Sequence, residues 1–574
     1  MTNEQRNADL IAKPRRWLAI AGLALVLAGA LLAHSIRTAG GTEVSDIRFD
    51  GADGTQMSAL LYVPENATAE TPAPGILAVH GYINSREMQD GFAIEFARRG
   101  YVVLSIDQTG HGYSGGPAFA NGFGGPDGLR HLLSLPMVDK DQIGLEGHSM
   151  GGWTILAAAK AMPDAYQSMV LQGSSTGAPF APEGSPDWPR NLSLVFSQYD
   201  EFSQLMWGMD RPLNTPDSEK LQSVFGTDSR VIEDKIYGDI AAGTARTLHQ
   251  PATTHPGNHL STASIGYAVD WFAATLDGGN NLPARDQIWF WKEIGTGVGL
   301  IGFVMIVLGM FDILLRLPFF VPLQGAPVPA VEQRSRSWWT LFAINTATPA
   351  LLFFPAFIAA FLLLPASAIL PQAITNQVTL WALATAGIGL IISRFLGGPS
   401  TTGSANWLQS ILLALAAVAA GYAALLLVDL LFQTDFRFWV VAVKLPAAGQ
   451  WLPIAIYLVP ITLAFVVTLR ALTGSLSVKS DGTCKRYCAA ILTMTAGFMV
   501  MIGLIYGIFF AAGTLITAFD PLSTVVALQF VPILTAIAII AIFTWHRTNS
   551  HRPGALMVGL MVTLYVAAGT ATQV

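Results

Sequence analysis

The distribution of apolar positions divides the chain in two. One apolar run covers 17–36, and from residue 288 onward eight more follow at 294–315, 338–364, 373–392, 407–431, 451–469, 489–515, 522–543 and 555–571. A bilayer core takes about 20 apolar residues as helix, because backbone polar groups there must be satisfied within the segment itself. The pattern predicts nine membrane-spanning helices, several bounded by tryptophan, which settles at headgroup level. Between 42 and 277 the period changes. Short β-branched runs at 75–80, 101–106, 142–146, 167–171, 191–196 and 245–250 read as strands, and segments starting near Arg86, Met150 and Ser261 read as helices. Strands separated by helices imply a mostly parallel sheet with helices on both faces. The expected fold class is an α/β domain (42–277) preceded by a tail and one N-terminal anchor (1–41) and followed by an all-α bundle of about eight helices (288–574).

Composition sharpens this division. Only 12% of the 574 residues are charged and 52% are hydrophobic, which argues against a wholly soluble chain. The last 297 residues hold 14 Lys+Arg and 8 Asp+Glu, while the first 277 hold 18 and 30. An acidic first half lacks the basic face that displaces phosphate counterions, so nucleic acid is excluded as a partner. Two cysteines, Cys484 and Cys488, are too few for a disulfide framework or a metal site and read as reduced thiols at a helix start.

Cytoplasmic loops carry the excess of Lys and Arg. With the N-terminus inside, the inner segments hold 14 cations (Arg6, Lys13, Arg15 and Arg16, then Arg316, Arg334, Arg336, Arg394, Arg470, Lys479, Lys485, Arg486, Arg547 and Arg552). The outer segments hold 5: Arg37, Arg285, Lys292, Arg437 and Lys444. The count places the α/β domain and the C-terminus outside, in a multi-pass protein expected in a bacterial plasma membrane. The first span reads as an uncleaved anchor in preference to a cleaved signal peptide, since Leu31 and Arg37 break the small-x-small pattern before Ala33 and Ala39, and either reading leaves the α/β domain outside. Asp312 and Asp429 are the ionisable residues inside spans, both near a predicted end, so ion coupling is disfavoured.

In an open parallel sheet, ligands bind at the carboxyl ends of strands. Gly147-His148-Ser149-Met150-Gly151 stands directly after the strand ending at Glu146 and before an apolar helix. A serine on so sharp a turn needs small residues two before and two after, which Gly147 and Gly151 supply. With Val79-His80-Gly81-Tyr82 and Asp107-Gln108-Thr109-Gly110-His111-Gly112-Tyr113-Ser114 upstream in order, the region 43–276 resembles the α/β-hydrolase superfamily, particularly its monoacylglycerol-lipase and serine-aminopeptidase-like branch. That resemblance implies a Ser149 nucleophile and, later in the chain, an acid and then a histidine. Asp200, in Ser197-Gln198-Tyr199-Asp200-Glu201 after the 191–196 strand, is the expected acid, ahead of Glu201 and Asp210. His255 is the favoured histidine, with His259 the alternative. The oxyanion donors are implied to be the N–H groups of Met150 and Tyr82; His80, His111 and His148 belong to the motifs and read as structural or pocket-lining.

The stretch 202–244 is too long for a bare loop and is expected to carry helices as a cap. Its Phe202, Leu205, Met206, Trp207 and Met209 suit an acyl pocket, a bilayer contact or plain packing on the core. The function read from these residues is a membrane-anchored serine esterase or lipase acting outside on a small-molecule or lipid ester, with membrane lipids as neighbours and with no cofactor or metal expected. A peptidase, amidase or acyltransferase of the same mechanism is the alternative, as is a lipid-handling bundle with a regulatory hydrolase-like domain; the oligomeric state is left open.

Overall fold

The computed structural model describes residues 16–396 and 403–574; Arg6, Lys13 and Arg15 of the charge count lie outside the described residues. Eight strands form one sheet in the order β1-β2-β4-β3-β5-β6-β7-β8: β1 Glu43–Asp50, β2 Gln56–Val63, β3 Ala73–Val79, β4 Val102–Asp107, β5 Val138–His148, β6 Ser168–Gln172, β7 Leu192–Val195 and β8 Arg246–His249. From β4 to β8 every pairing is parallel. β2 runs antiparallel to β4, and β1 to β2. The six strands expected from the pattern are all present, and the β1–β2 hairpin is an addition. β1 lies on the edge and is half-exposed throughout, so it lacks the buried apolar run that marks the inner strands.

Two apolar layers cover the sheet, one containing Met150–Ala161 and Gly125–Ser134, the other Asp90–Ala97 and Thr262–Thr275. Arg86 opens a short 3-10 turn rather than the helix itself, which begins at Asp90. In the 202–244 stretch only Ser203–Trp207 and Glu219–Phe225 are α-helical. Phe202, Met206 and Trp207 are buried in the core of the sheet domain, so that cluster packs; Leu205 alone of the five points largely to the exterior, at 45% exposed.

Among the described residues, eight helices are long and apolar enough to cross a membrane: Arg16–Arg37, Phe290–Leu314, Ala373–Leu396, Trp407–Phe432, Trp451–Gly474, Thr483–Ala512, Pro521–Thr548 and Arg552–Gly569. The ninth expected span, 338–364, is a pair, Arg336–Leu351 and Phe353–Leu363, bent by 42°. Pro349 and Pro355 flank the break, and proline removes a helical donor and crowds the preceding turn. Arg16–Arg37 packs along Phe290–Leu314 with glycine against glycine. A Cβ on Gly22 would come within 2.8 Å of the Gly302 carbonyl oxygen, one on Gly29 would run into that of Gly295, and one on Gly309 into the backbone of Ala19. Small residues at fixed spacing let helix backbones approach where lipid offers no hydrophobic drive to association.

Helix ends alternate between two faces of the bundle. At the end away from the sheet, Val331 bridges Val478, Gly325 bridges Thr548, and Arg334 pairs with Asp481 at 2.6 Å. Inside the bundle Asp312 is buried and paired with Arg547 at 2.6 Å, which satisfies the charge that the sequence had placed near an interface. At the other end the bundle meets the sheet domain through buried ion pairs. Lys292 reaches Asp90 at 2.8 Å, and Arg437, on the hairpin Phe436–Phe438/Val441–Val443, reaches Glu87 at 3.3 Å and Asp435 at 2.5 Å.

Candidate active site

The candidate serine, acid and histidines each follow the carboxyl end of a strand. β5 runs to His148, and Ser149 follows with φ 54° and ψ −121° before Met150–Ala161 begins. A non-glycine residue there carries strain of about 1–3 kcal/mol, which the neighbours must hold in place. They do so by close approach: a methyl on Gly147 would strike the Gly151 carbonyl, and one on Gly151 the carbonyl of Val79. The Ser149 N–H donates to the Gln172 carbonyl at 2.8 Å, and the Ser174 hydroxyl donates to the Ser149 carbonyl at 2.7 Å, pinning the turn to the end of β6. Met150 is the first helical residue, so its N–H has no acceptor within the helix.

Asp200 follows β7 and His255 follows β8. His255 Nδ1 lies 3.0 Å from each Asp200 carboxylate oxygen, and both residues are buried. Burial works against the imidazolium, but the charge and hydrogen bond of Asp200, with Glu201 adding, outweigh it and raise His255 above the ordinary histidine value. His259 lies deeper. It packs against His148 with ring centroids 4.0 Å apart, its nitrogens meet no carboxylate, and burial followed by the charges of His255 and Arg437 pushes it down to about 3. Of the two histidines, only His255 is joined to an acid.

No hydrogen bond joins the Ser149 hydroxyl to His255 among the described residues. The two are brought near through the residues beside them: the His255 carbonyl sits 3.0 Å from His148 Nε2, and the His148 and His255 rings are 4.7 Å apart. Across from Ser149, Gly81 admits the serine closely, for a Cβ there would lie 3.1 Å from Ser149 Cβ. The His80-Gly81-Tyr82 turn is held by Gln108, whose N–H donates to His80 Nε2 at 3.2 Å and whose amide donates to the His80 carbonyl. His80, His111 and His148 are buried, each with a ring nitrogen at a backbone carbonyl, and burial first of all lowers all three.

Residues of the bundle reach this site, and sequence reasoning did not find them. Tyr506, from Thr483–Ala512, donates to Glu201 Oε1 at 2.7 Å, while Glu201 Oε2 accepts the His255 N–H at 2.8 Å. Burial, with the charge of Asp200 next, lifts Glu201 to about 7 against the opposing Tyr506 and His255 contacts. The C-terminal segment pairs with the loop after β4, Thr572 N–H to the Gly110 carbonyl at 2.8 Å and Ala118 N–H to the Thr572 carbonyl at 2.7 Å. Gln573 then donates to the Tyr82 hydroxyl at 2.8 Å, and Trp439 to the Pro256 carbonyl at 2.9 Å. Tyr82 and Ile83 pack against the core of the bundle. The carboxyl edge of the sheet thus faces the bundle. None of these partners carries a local motif, so no sequence signal pointed to them.

Residues 74–216 match the sequence profile of the α/β hydrolase fold. A monoacylglycerol lipase of Mycolicibacterium smegmatis is 27% identical over 144 residues, 23% of this chain and 48% of that protein. An uncharacterized protein of Mycobacterium tuberculosis is 30% identical over 105 residues, 17% of this chain and 28% of its own length. The chain thus spans about half or less of the curated relatives it matches. Among solved structures, a Pyrococcus furiosus esterase aligns over 41% of this chain and 92% of its own at 16% identity and a TM-score of 0.30. A hypothetical protein from Pseudomonas aeruginosa aligns over 24% and 43% at 25% identity and a TM-score of 0.21.

Proposed function

From the premise that the sheet-bearing part of the chain has the α/β-hydrolase fold, we propose that the protein is a membrane-anchored serine hydrolase cleaving carboxylic esters of the esterase or lipase type. The observation that carries this reading is the contact of both Asp200 oxygens with His255 Nδ1, beside a serine held at positive φ on the strand-to-helix turn. In this reading Ser149 attacks the ester carbonyl while His255 Nε2 takes its proton and returns it to the leaving alcohol. Asp200 fixes the tautomer that leaves Nε2 unprotonated and stabilises the imidazolium as it forms. Backbone N–H groups of Met150 and Tyr82 receive the oxyanion, each worth on the order of 10² to 10³ in rate.

Aromatic rings beside Tyr82 support an apolar acyl group. Tyr82 stacks on Phe119 at 5.7 Å, Phe119 on Phe180 at 6.2 Å, and Phe180 meets Trp153 at 5.0 Å. Phe119 and Phe180 are 42% and 56% exposed, an unusual outlay of large apolar surface for a domain face that binds nothing apolar. A fluorophosphonate probe is expected to label the full-length protein, and labelling that persists in Ser149→Ala would remove the assignment. A panel of matched esters and amides then separates esterase from amidase.

The sidedness proposed here puts the sheet domain outside the cytoplasm. Arg316, Arg334, Arg336, Arg470 and Lys479 all fall at the bundle end away from the sheet, as the charge bias of cytoplasmic loops requires. Cys484 and Cys488 lie at that same end and are exposed. In intact cells both should resist a membrane-impermeant maleimide and react after permeabilisation, while Ser229→Cys on the sheet domain should react in both conditions. The opposite pattern would reverse the topology.

A further inference from the structure

A cavity of about 850 Å³ lies inside the bundle at the end away from the sheet and takes no part in the site described so far. That size falls within the roughly 300–1,000 Å³ of ligand sites. Its depth is apolar, walled by the buried side chains of Trp381, Phe465 and Leu534. Its mouth is cationic: Arg394 and Arg470 stand near the ends of Ala373–Leu396 and Trp451–Gly474, while His551 and Arg552 open Arg552–Gly569. No carboxylate lines the cavity among the described residues, and the 397–402 connection that follows Arg394 contains no charged residue.

Cations gather at cytoplasmic loops in any multi-pass protein, so their number alone marks no site. Three features do. The acids at this end among the described residues are already engaged, Asp312 by Arg547, Asp481 by Arg334 and Glu332 by Lys479, and Arg394, Arg470 and Arg552 have no ion pair among the described residues. Two lining residues carry buried polar atoms without a partner: Nδ1 of His551, which is only 8% exposed, and Nε of Arg552. Arg552 is nonetheless held in place, its guanidinium 4.5 Å from the centre of the Trp407 ring and donating to the Ala405 carbonyl. Lastly, His551 and Arg552 stand at a helix N-terminus with no side-chain cap, where the helix dipole opposes a cation and favours an anion. Burial, followed by the charges of Arg470 and Arg552, pushes His551 down to about 4, so the positive field at this point is not balanced by an acid.

We propose that this cavity binds an anionic phospholipid from the leaflet opposite the sheet domain, with its phosphate among Arg470, His551 and Arg552 and an acyl chain running inward past Leu534 toward Trp381. Guanidinium groups match phosphate oxygens in charge and in geometry, and basic pockets between spanning helices on the cytoplasmic side suit lipid head groups of this kind. The route in favours a lipid over a soluble phosphate ester. Leu390, Ile391 and Phe395 line the cavity and are also exposed on the bundle surface, so the mouth is reached sideways from the bilayer. Net charge then selects among lipids. A zwitterionic lipid carries the same phosphate, but its ammonium is repelled by three arginines that lack an acid, whereas a phosphatidylglycerol head brings only the negative charge. The inference does not depend on the hydrolase reading.

The test titrates the full-length protein in dodecyl maltoside with dioleoylphosphatidylglycerol or dioleoylphosphatidylcholine and counts bound lipid by native mass spectrometry. Phosphatidylglycerol is expected to bind more tightly than phosphatidylcholine by about tenfold or more. Arg394→Gln combined with Arg470→Gln, both exposed side chains, should weaken phosphatidylglycerol by ~30-fold, the effect of two cations beside a lipid phosphate; lysine at both positions should restore most of it. Arg336→Gln combined with Lys485→Gln removes the same charge from exposed positions at the same end but outside the cavity, and should leave binding unchanged. Ala386→Phe fills the apolar depth with every arginine kept, and should weaken phosphatidylglycerol as well. Equal losses in the two double variants, or equal affinity for the two lipids, overturn the site in favour of unspecific attraction to charged lipid. Unchanged binding in Ala386→Phe overturns the placement of the chain. Displacement of the lipid by an equal concentration of glycerol 3-phosphate overturns the lipid in favour of a soluble phosphate ester.

Discussion

Glycine does the same steric work in two parts of this molecule, and only one of them can be read as a motif. At the Ser149 turn, Gly147 and Gly151 let β5, the following helix and the end of β3 meet backbone to backbone. Between the first two long helices, Gly22, Gly29, Gly295 and Gly302 allow an approach just as close over several turns. The turn serves a single side chain, so its glycines hold a fixed offset from Ser149 and can be recognised as five letters. The helix seam serves packing alone, and its glycines are spread over two segments some 270 residues apart, where apolar composition hides them. Close approach is therefore visible in sequence when it positions one reacting atom, and is lost in composition when it joins two surfaces.

The comparison sharpens into experiments of decreasing effect. His255→Ala is expected to cut kcat/KM by on the order of 10⁴, as loss of a triad member does, whereas His259→Asn should keep activity within about tenfold and lower Tm. Ester hydrolysis by both variants checks this, and equal losses would mean that the acid contact of His255 does not identify the base. Arg437→Met leaves buried Asp435 without its ion-pair partner and Glu87 with Arg86 alone, and a loss of about 3–5 kcal/mol is expected. It should appear as a lower unfolding midpoint, with the sheet domain loosened from the bundle and more readily clipped by protease. Gly29→Leu drives a side chain into the Gly295 backbone and should cost about 1–3 kcal/mol or more by overpacking. The contrast with Gly147→Ala is in the readout: the seam variant should lose thermal stability before specific activity, the turn variant the reverse.

The pH dependence joins the two regions. In the proposed mechanism His255 must be neutral to accept the serine proton, so kcat/KM should rise with pH through an apparent value above ~6.5, because Asp200 and Glu201 hold His255 above its ordinary value. Tyr506→Phe removes the hydrogen bond that favours ionised Glu201. Glu201 then holds its proton to higher pH and supports the imidazolium less, so the acid limb should move to lower pH. The rate change itself should be small, about the 0.5–1.5 kcal/mol of one hydrogen bond. An unmoved acid limb would show that the bundle touches the site without influencing it.

Much of the sheet was legible because its inner strands are buried on both faces and so are written as continuous apolar runs. β1 escaped because it lies at the edge, where half-exposed residues blur the period; nothing of that kind explains β2, which is buried between β1 and β4. Gly125–Ser134 escaped as well; it opens on glycines rather than on a capping side chain. The bent 336–363 pair was read as one span since hydropathy continues unbroken through the turn made by its prolines.

By itself the sequence determined what is local or periodic: nine apolar stretches, a parallel sheet, a serine on a tight turn, and an acid and two histidines after later strands. Tertiary structure alone decided which histidine meets the acid, because His255 and His259 differ by one turn of chain and only the docking of β8 beside β7 turns one of them to Asp200. It also decided that the carboxyl edge of the sheet faces the bundle. Tyr506, Trp439 and Gln573 come to the candidate site from far along the chain, through contacts one hydrogen bond wide. Such contacts leave no period and no motif; they exist only once helices of fixed length have delivered their ends to one face.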